Sequence, residues 1–381
     1  MEMEERLFTD FKSQTAEAWK EKLIADLKGK PFEDLLWENQ GLSGKPFYTK
    51  ADLPERLPQL SKVHSQPEAF GNRFWVNYQV IAVSSEKEAN KAALIALEHG
   101  ADGLLFSLSA TPDFAILLKG IKVNYCHVSF ESSERSTTAI YEDYLSYLNQ
   151  IEADKSAVNG FIAGVGVHAQ NEVQGLKTVM VKTNGQTNDS AKQIALQLAD
   201  IIDLIDNLNI APGDFFNMMA CQLNLSKDYF GEIAHHRALR LMLHKLATAY
   251  EISIDEPMIF SGSSNWTSDI NDTHSFMLHA TTQAMSAIVG GTDGLLIRPF
   301  YSVFGENKSL AERMARNIST ILKEESYLAK NVDPAAGSYY LESMTDALAD
   351  KATAHLKSIE SKGGLSKIDV NAFLANPTET V

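Results

Sequence analysis

Short apolar runs alternate with amphipathic segments along the chain from Trp75 onward. Each run is nearly all apolar, which is typical of strands buried on both faces of a parallel sheet. Eight such strands separated by helices predict a sheet closed on itself, which is a (β/α)8 TIM barrel of the α/β class. The predicted strands are Trp75–Val83, Gly103–Leu108, Asn124–Phe130, Gly160–Val167, Thr178–Thr183, Phe215–Gln222, Pro257–Ser261 and Asp293–Pro299.

Apolar residues at helical spacing predict the segments that separate these strands. Gly100 ends the first of the helices, and Gly363 with Gly364 ends the last. The fourth and fifth strands are joined by too few residues for a full helix. The predicted helices are Glu86–His99, Thr137–Ile151, Asp189–Leu208, Lys227–Tyr250, Thr273–Val289, Ser309–Glu325 and Ser343–Lys362.

The first 70 residues lack this alternation and are predicted to form an arm rather than a domain. Apolar residues at helical spacing predict a helix over Phe11–Lys28, which Gly29 and Pro31 end. The rest of the arm is turn-rich and carries large apolar side chains without a core of its own. They pack either on the barrel of the same chain or on a partner subunit. The predicted division is an arm over 1–70, a barrel over 71–365 and a polar, fraying tail over 366–381.

Composition narrows the classes of partner. The net charge of −15, without a cluster of Lys and Arg, argues against nucleic acid or an anionic membrane as a partner. Cys126 and Cys221 each lie in an apolar stretch, which favours buried thiols over a disulfide or a metal pair. No run reaches about 18 apolar residues, and the N-terminus has no apolar signal region. A cytoplasmic protein is the expectation.

Other candidate chemistry is weak. His235, His236 and His244 lack the i, i+4 spacing plus a third ligand that a zinc site needs. Gly164-x-Gly166 follows a strand but has neither the third glycine nor the long helix of a dinucleotide-binding loop. Asp269 and Asp272 could act as a general acid and base, although solvation of a loop is the favoured interpretation. No metal site is predicted.

Four motifs follow one another over 80 residues near the end of the predicted barrel. They are Asn265-Trp266, AM-x-A-x-x-GGT at 284–292, ARN at 315–317 and DP-x-x-GSYY at 333–340. Together they resemble the barrel domain of the cobalamin-dependent acyl-CoA mutases. The resemblance implies an acyl-CoA that runs along the barrel axis and a cobalamin held by a separate C-terminal domain, marked by D-x-H-x-x-G. This sequence has no such motif, so the chain is expected to lack that domain.

The resemblance also indicates which positions match the family's active site. On the first strand, Tyr78 and Val80 stand where the family has an arginine and a tyrosine. Lys182 stands where a histidine contacts the thioester carbonyl, and Leu296 replaces a histidine at the end of the eighth strand. Besides the arginine, the family's tyrosine and two histidines are thus exchanged in one pocket. The chain is therefore expected to have no catalytic residue and to bind no cofactor itself.

Within this family, the chain resembles the small subunit of heterodimeric members. That similarity implies a supporting role for a large catalytic subunit, which carries adenosylcobalamin and interconverts (R)-methylmalonyl-CoA and succinyl-CoA. One alternative is the acyl-CoA-binding barrel of a split mutase whose cobalamin domain is another chain. A second is a binding module that keeps the CoA site without turnover. Val80, Lys182 and Leu296 favour the first interpretation over both alternatives.

Overall fold

The computed structural model describes residues 14–39, 42–53, 74–182, 189–254, 257–263, 273–300 and 308–375. The arm begins with helix α1 (Ala16–Asp26), whose first turn is capped by the Thr15 side chain. A short antiparallel hairpin follows, formed by β1 (Trp37–Asn39) and β2 (Leu42–Gly44). The part of the predicted helix that precedes Gln14 lies outside the described residues.

The barrel is a parallel sheet in the order β7-β6-β5-β4-β3-β11-β10-β9-β8. It closes because β7 and β8 are two halves of one strand with Thr178 between them. The first half pairs with β6 and the second with β9, so eight strands surround one axis and the predicted TIM-barrel fold is confirmed. Its strands are β3 (Val76–Val83), β4 (Gly103–Leu108), β5 (His127–Ser136), β6 (Gly160–Val165), β7 (Leu176–Lys177), β8 (Val179–Val181), β9 (Met219–Leu225), β10 (Met258–Ser263) and β11 (Gly294–Leu296).

Helices cover the outer face of the sheet and agree with the predicted ones to within a few residues. They include two short helices that the pattern did not indicate, at Phe114–Leu117 and Pro212–Met218. The helices of the barrel are α2 (Glu86–Glu98), α3 (Phe114–Leu117), α4 (Thr137–Gln150), α5 (Ser190–Leu208), α6 (Pro212–Met218), α7 (Tyr229–Ala249), α8 (Thr273–Gly290) and α9 (Lys308–Glu324). The chain continues with α10 (Tyr339–Ser361) and α11 (Val370–Ala375).

Two predicted strands are wrong in their bounds. The sixth was expected at Phe215–Gln222, but α6 occupies its first half, and the strand runs from Met219 to Leu225. Pro212 at the first helical position starts this turn, and a continuous apolar run conceals the change from helix to strand. The third was expected to begin at Asn124, whereas β5 begins at His127 and continues through an irregular polar end to Ser136.

The strand bounds determine how deeply the two cysteines are buried. Cys221 lies within β9 and is fully buried, and burial raises the pKa of its thiol to about 12. Cys126 precedes β5, is only partly buried, and has its thiol pKa raised to about 11 by the same cause. Both cysteines are free thiols. Raised pKa values keep both in the unreactive thiol form at neutral pH.

The tail is more ordered than predicted. The chain after α10 was expected to fray, but α11 packs on α5, and Phe373 and Leu374 join a cluster with Ala195 and Leu196. The Lys192 ammonium donates to the Phe373 carbonyl at 3.1 Å. Four apolar residues spread through a polar stretch (Ile368, Val370, Phe373 and Leu374) are enough to dock this short helix on a neighbour. Residues 376–381 lie outside the described part.

The arm is held on its own barrel by its second half. Trp37 and Tyr48 pack against Tyr340 at the start of α10, with ring centroids 6.1 Å and 5.1 Å apart. The Ser343 hydroxyl donates to the Asp52 carbonyl at 2.9 Å. Helix α1, by contrast, has no buried residue. Packing on the same chain therefore accounts for the hairpin and the segment after it, and leaves α1 on the surface.

None of the helices in the described ranges combines the length and the apolar character needed to cross a bilayer.

Candidate functional site

Many of the residues that point into the barrel form one apolar cluster. Tyr78 on β3 is 2% exposed, and its ring packs against Phe161 and Phe260 with centroid separations of 5.6 Å and 5.3 Å. Phe161 and Phe260 also contact each other at 4.7 Å. The remaining buried members are Val76, Leu105, Ala163 and Leu296, and Val80, Met180 and Met258 pack against them. Side chains from six strands thus fill the barrel axis.

A polar pair lies at the edge of this cluster, where His127 is only partly buried. The Tyr78 hydroxyl lies 3.3 Å from Nδ1 of His127 on β5. Burial lowers the pKa of His127 to about 4, and it raises the pKa of Tyr78 well above its ordinary value. Both groups are therefore neutral at physiological pH. The pair satisfies two polar atoms inside the barrel and is poorly suited to proton transfer with a substrate.

The structure brings three of the four predicted site positions together. Tyr78, Val80 and Leu296 belong to the interior cluster, and Leu296 is 1% exposed. Lys182 is different, because it directly follows β8 and its side chain is exposed. The predicted loop residues Asn265, Trp266, Asp269 and Asp272 lie outside the described residues. At two of the four positions that match the family's active site, Val80 and Leu296, the barrel interior therefore holds an aliphatic side chain where the family has a polar one.

Above the cluster, an ion pair spans the mouth of the barrel at the carboxyl ends of its strands. Arg298 follows β11 and Glu131 lies on β5, and Nη2 of the arginine is 3.8 Å from Oε2 of the glutamate. The backbone N–H of Arg298 also donates to the Ser263 hydroxyl at 2.8 Å. Both charged side chains are partly exposed. Sequence reasoning missed this pair, because only closure of the barrel brings the third and eighth strands face to face.

The ARN motif joins a surface helix to the first barrel strand. Arg316 on α9 donates from Nε to the His99 carbonyl at 3.0 Å. Asn77 on β3 donates from Nδ2 to the Arg316 carbonyl at 3.2 Å. These bonds lie outside the barrel, since Asn77 and Tyr78 point to opposite faces of the strand. The motif has a structural role in these contacts.

The DP-x-x-GSYY motif holds the last long helix. Arg237 on α7 is fully buried, and its guanidinium pairs with Asp333 of the motif. It also pairs with Glu342, one turn into α10, at 2.8 Å. Gly337 has φ of +78°, a conformation that favours glycine in the turn before α10. Two carboxylates therefore share one arginine beneath the start of α10.

A serine and a histidine meet in the layer between the sheet and α7. Nε2 of His236 lies 2.8 Å from the Ser261 hydroxyl, and its Nδ1 lies 2.7 Å from the Glu232 carbonyl. The Glu232 carboxylate is 3.9 Å from Nδ1. The arrangement contains the residue types of a hydrolase triad, but Ser261 and His236 are both 0% exposed. It is a buried structural network, because no substrate carbonyl can reach the hydroxyl.

The histidines considered for zinc do not converge. Burial and the nearby His236 lower the pKa of His235 to about 3. Within the part of the chain that the structure describes, no group of three or more His, Cys, Asp or Glu side chains could hold a metal ion.

Glu232 makes the network sensitive to pH. Burial raises the pKa of its carboxyl to about 7, although hydrogen bonds from Ser226 oppose the shift. The Glu232 carboxyl therefore keeps its proton in the folded state, whereas in the unfolded chain it loses the proton near pH 4.5. This difference stabilises the folded state in acid, and the stabilisation is lost as the pH rises through about 7. We expect Glu232→Gln, which stays neutral, to gain stability relative to the wild type between pH 5 and pH 8.

Urea unfolding of both proteins at four pH values across that interval measures the effect. Glu98→Gln is the matched control, since Glu98 is exposed on α2. If the free energies of unfolding of wild type and Glu232→Gln differed by the same amount at every pH, the raised pKa of Glu232 would be contradicted.

Comparison with known proteins agrees with this architecture. Residues 161–374 match the family model of methylmalonyl-CoA mutase. The chain is 28% identical to the methylmalonyl-CoA mutase small subunit of Porphyromonas gingivalis, over 95% of this chain and 65% of that protein. It is 25% identical to the small subunit of Streptomyces virginiae, over 94% of this chain and 65% of that protein. For the mitochondrial enzyme of Homo sapiens the identity is 24%, over 92% of this chain and 55% of that protein.

These relatives are longer than this chain, which spans 55% to 65% of their lengths. Among solved structures, a dihydropteroate synthase from Coxiella burnetii is similar with a TM-score of 0.34 and 14% identity, over 69% of this chain and 98% of that one. A likeness of that size carries no information about activity. The family model, in contrast, covers more than half of the sequence and includes the ARN and DP-x-x-GSYY motifs. The chain belongs to the methylmalonyl-CoA mutase family.

Proposed function

We propose that this chain is the small, non-catalytic subunit of a methylmalonyl-CoA mutase, which supports a large subunit in interconverting (R)-methylmalonyl-CoA and succinyl-CoA. The observation that carries the proposal is the apolar filling of the barrel. An acyl-CoA on the axis would have to displace Tyr78, Phe161 and Phe260, whose rings contact one another. Two similar proteins that are named small subunits support the same assignment.

The filled interior also weighs against the alternative of an acyl-CoA-binding barrel in a split mutase. A working site needs polar groups that position a thioester. Val80 and Leu296 offer only aliphatic carbon at the matching positions, and the Lys182 side chain is exposed to solvent. Adenosylcobalamin supplies the radical chemistry of this family, and in this proposal the partner subunit binds it. This chain contributes folding support and contact surface.

The first test is turnover. Purified chain mixed with adenosylcobalamin and methylmalonyl-CoA is expected to form no succinyl-CoA, because it lacks groups that position the substrate. The triple variant Val80→Tyr, Lys182→His and Leu296→His is expected to remain inactive unless a cobalamin domain is supplied. A complete mutase assayed in parallel is the positive control. Succinyl-CoA formed by the unmodified chain would overturn the proposal.

The arm supports the proposed partnership. Helix α1 buries no residue, and Trp19 and Ile24 are 40% and 47% exposed. Leu36, directly before β1, is 45% exposed. Each of these side chains is already about half buried, so covering the rest of it stabilises a complex by roughly 1 kcal/mol. We therefore place a large mutase subunit against the arm in a 1:1 heterodimer, located in the cytoplasm.

Co-expression with that large subunit tests the heterodimer. The two chains are expected to co-elute in size exclusion, and deleting residues 1–60 is expected to abolish co-elution while the barrel stays folded. Deletion of residues 376–381 serves as the matched control and should leave the complex intact. Separate elution of the two full chains, or co-elution of the arm-deleted form, would contradict the proposal.

A further inference from the structure

An aromatic groove lies where the arm meets the barrel. Its walls come from three parts of the chain: the arm, the start of α7 and the start of α10. It is an open groove with a volume of about 580 Å³. Six rings line it, those of Trp37, Phe47, Tyr48, Phe230, Tyr339 and Tyr340, and we call these six residues the aromatic groove.

The groove is built around Tyr340. The rings of Tyr48, Phe230 and Trp37 stand 5.1, 5.5 and 6.1 Å from its ring, tilted or edge-on rather than stacked flat. Burial, with the nearby Asp228 adding to it, raises the pKa of Tyr340 to about 12, so the phenol stays neutral.

Trp37 is fixed in place by the hairpin. A Cβ at Gly44 would overlap the indole ring of Trp37, so the ring lies directly on the Gly44 backbone. The Ser343 hydroxyl binds the Asp52 carbonyl and anchors the other side of the arm to α10. The groove is thus formed before any partner arrives, which lowers the entropic cost of binding.

The rim of the groove is open to solvent. Phe230 is 47% exposed and Tyr339 is 40% exposed. Trp19 of α1 packs on Phe47 with the ring centroids 3.5 Å apart and the rings tilted, and Trp19 is 40% exposed. A contiguous aromatic surface of this kind is typical of a site that contacts another molecule.

Charge selects the kind of occupant. Aromatic faces are electronegative and attract cations. One cation of the chain already lies here, since Nζ of Lys45 is 6.0 Å from the Tyr48 centroid. That ammonium is bound to Asp52 at 2.6 Å. The carboxylate of Asp228 lies close enough to Tyr340 to affect its pKa, and the chain carries a net charge of −15. The surroundings therefore favour a positively charged side chain flanked by apolar residues.

We propose that the aromatic groove binds an extended segment of the partner subunit that carries an arginine or a lysine. The inference rests on the proposed function, because it takes the large mutase subunit as the partner. The groove shape suits an extended chain, and an arginine can stack its guanidinium on a ring while its apolar stem lies along the wall. In the complex, the groove then binds a basic side chain of the partner, in addition to the contact that α1 makes.

Affinity for the large subunit, measured by calorimetry with each variant, tests the chemistry. Phe230→Leu keeps an apolar side chain but removes the ring face, and it is expected to weaken binding about 3- to 30-fold. The double variant Phe230→Ala and Tyr339→Ala is expected to weaken binding of the large subunit further. Gly44→Ala should also weaken binding, because its added methyl group displaces the Trp37 ring. Leu278→Ala, which removes an exposed side chain outside the groove, is the control and should change nothing.

A photoreactive phenylalanine analogue at position 230 identifies the occupant by mass spectrometry. A cross-linked peptide of the large subunit that contains an arginine or a lysine supports the proposal. A cross-link within this chain, to a second copy of it, or to a large-subunit peptide without a basic residue overturns it. Equal affinity of wild type and Phe230→Leu overturns it as well, while leaving the subunit assignment standing. If no complex forms even with wild-type chain, the subunit assignment fails, and the groove proposal fails with it.

Discussion

Replacing Arg237 with methionine is expected to destabilise the fold by about 3–5 kcal/mol. The guanidinium is fully buried and pairs with two carboxylates, those of Asp333 and Glu342. Methionine fills most of the same space, so the loss comes from leaving two acidic groups in the interior without their cation. The start of α10 should loosen first, because both carboxylates lie at or just before it.

Urea unfolding followed by circular dichroism measures the change in the free energy of unfolding. Arg313→Met is the matched control, since Arg313 on α9 is exposed and its loss should cost less than about 1 kcal/mol. Restoring charge balance with Arg237→Met, Asp333→Asn and Glu342→Gln should recover part of the stability. An Arg237→Met variant as stable as the control would show that the two carboxylates are satisfied by other groups.

Phe260→Ala is expected to cost about 3–5 kcal/mol as well, for a different reason. Phe260 is 2% exposed and contacts both Tyr78 and Phe161 inside the barrel. Strands surround this space on every side and cannot collapse to fill it, so the substitution leaves a cavity. Phe230→Ala provides the comparison, because it removes the same atoms from a half-exposed ring and should cost far less in the isolated chain.

Thermal and urea unfolding of the two phenylalanine variants decide this point. If Phe260→Ala and Phe230→Ala were equally stable, the interior would be loosely packed and an axial ligand could enter. That result would remove the observation on which the non-catalytic assignment rests.

Apolar periodicity was sufficient to predict the barrel, since each of its eight strands overlaps the segment expected for it. The sixth was displaced because Phe215 and Phe216 continue the apolar run of β9 while belonging to a helix turn. Such a run has no polar residue to mark the boundary. The closing strand, broken at Thr178, was likewise predicted from its second half only.

The site was predictable only where contacts follow from strand alternation. Tyr78 and Val80 are two residues apart and share a face, so their common position in the barrel could be expected. The Glu131–Arg298 pair and the contact of His236 with Ser261 join residues far apart in the sequence. Geometry of that kind exists only after the barrel closes. The aromatic groove also depends on the docked arm, whose two possible locations the sequence left open.

The broken strand at Thr178 divides the barrel into two sectors. β3 to β7 form one, β8 to β11 form the other, and each is a continuous ladder of parallel pairs. They meet covalently at Thr178 and by pairing at β11 and β3, where only Gly294 and Leu295 find partners. Each sector keeps its own strand register. A change in the length of a strand or loop in one sector therefore need not shift the strand pairing in the other. The strand pairing of each sector can thus change separately, while the contacts of Phe260 with Tyr78 and Phe161 still join the two sectors inside the barrel.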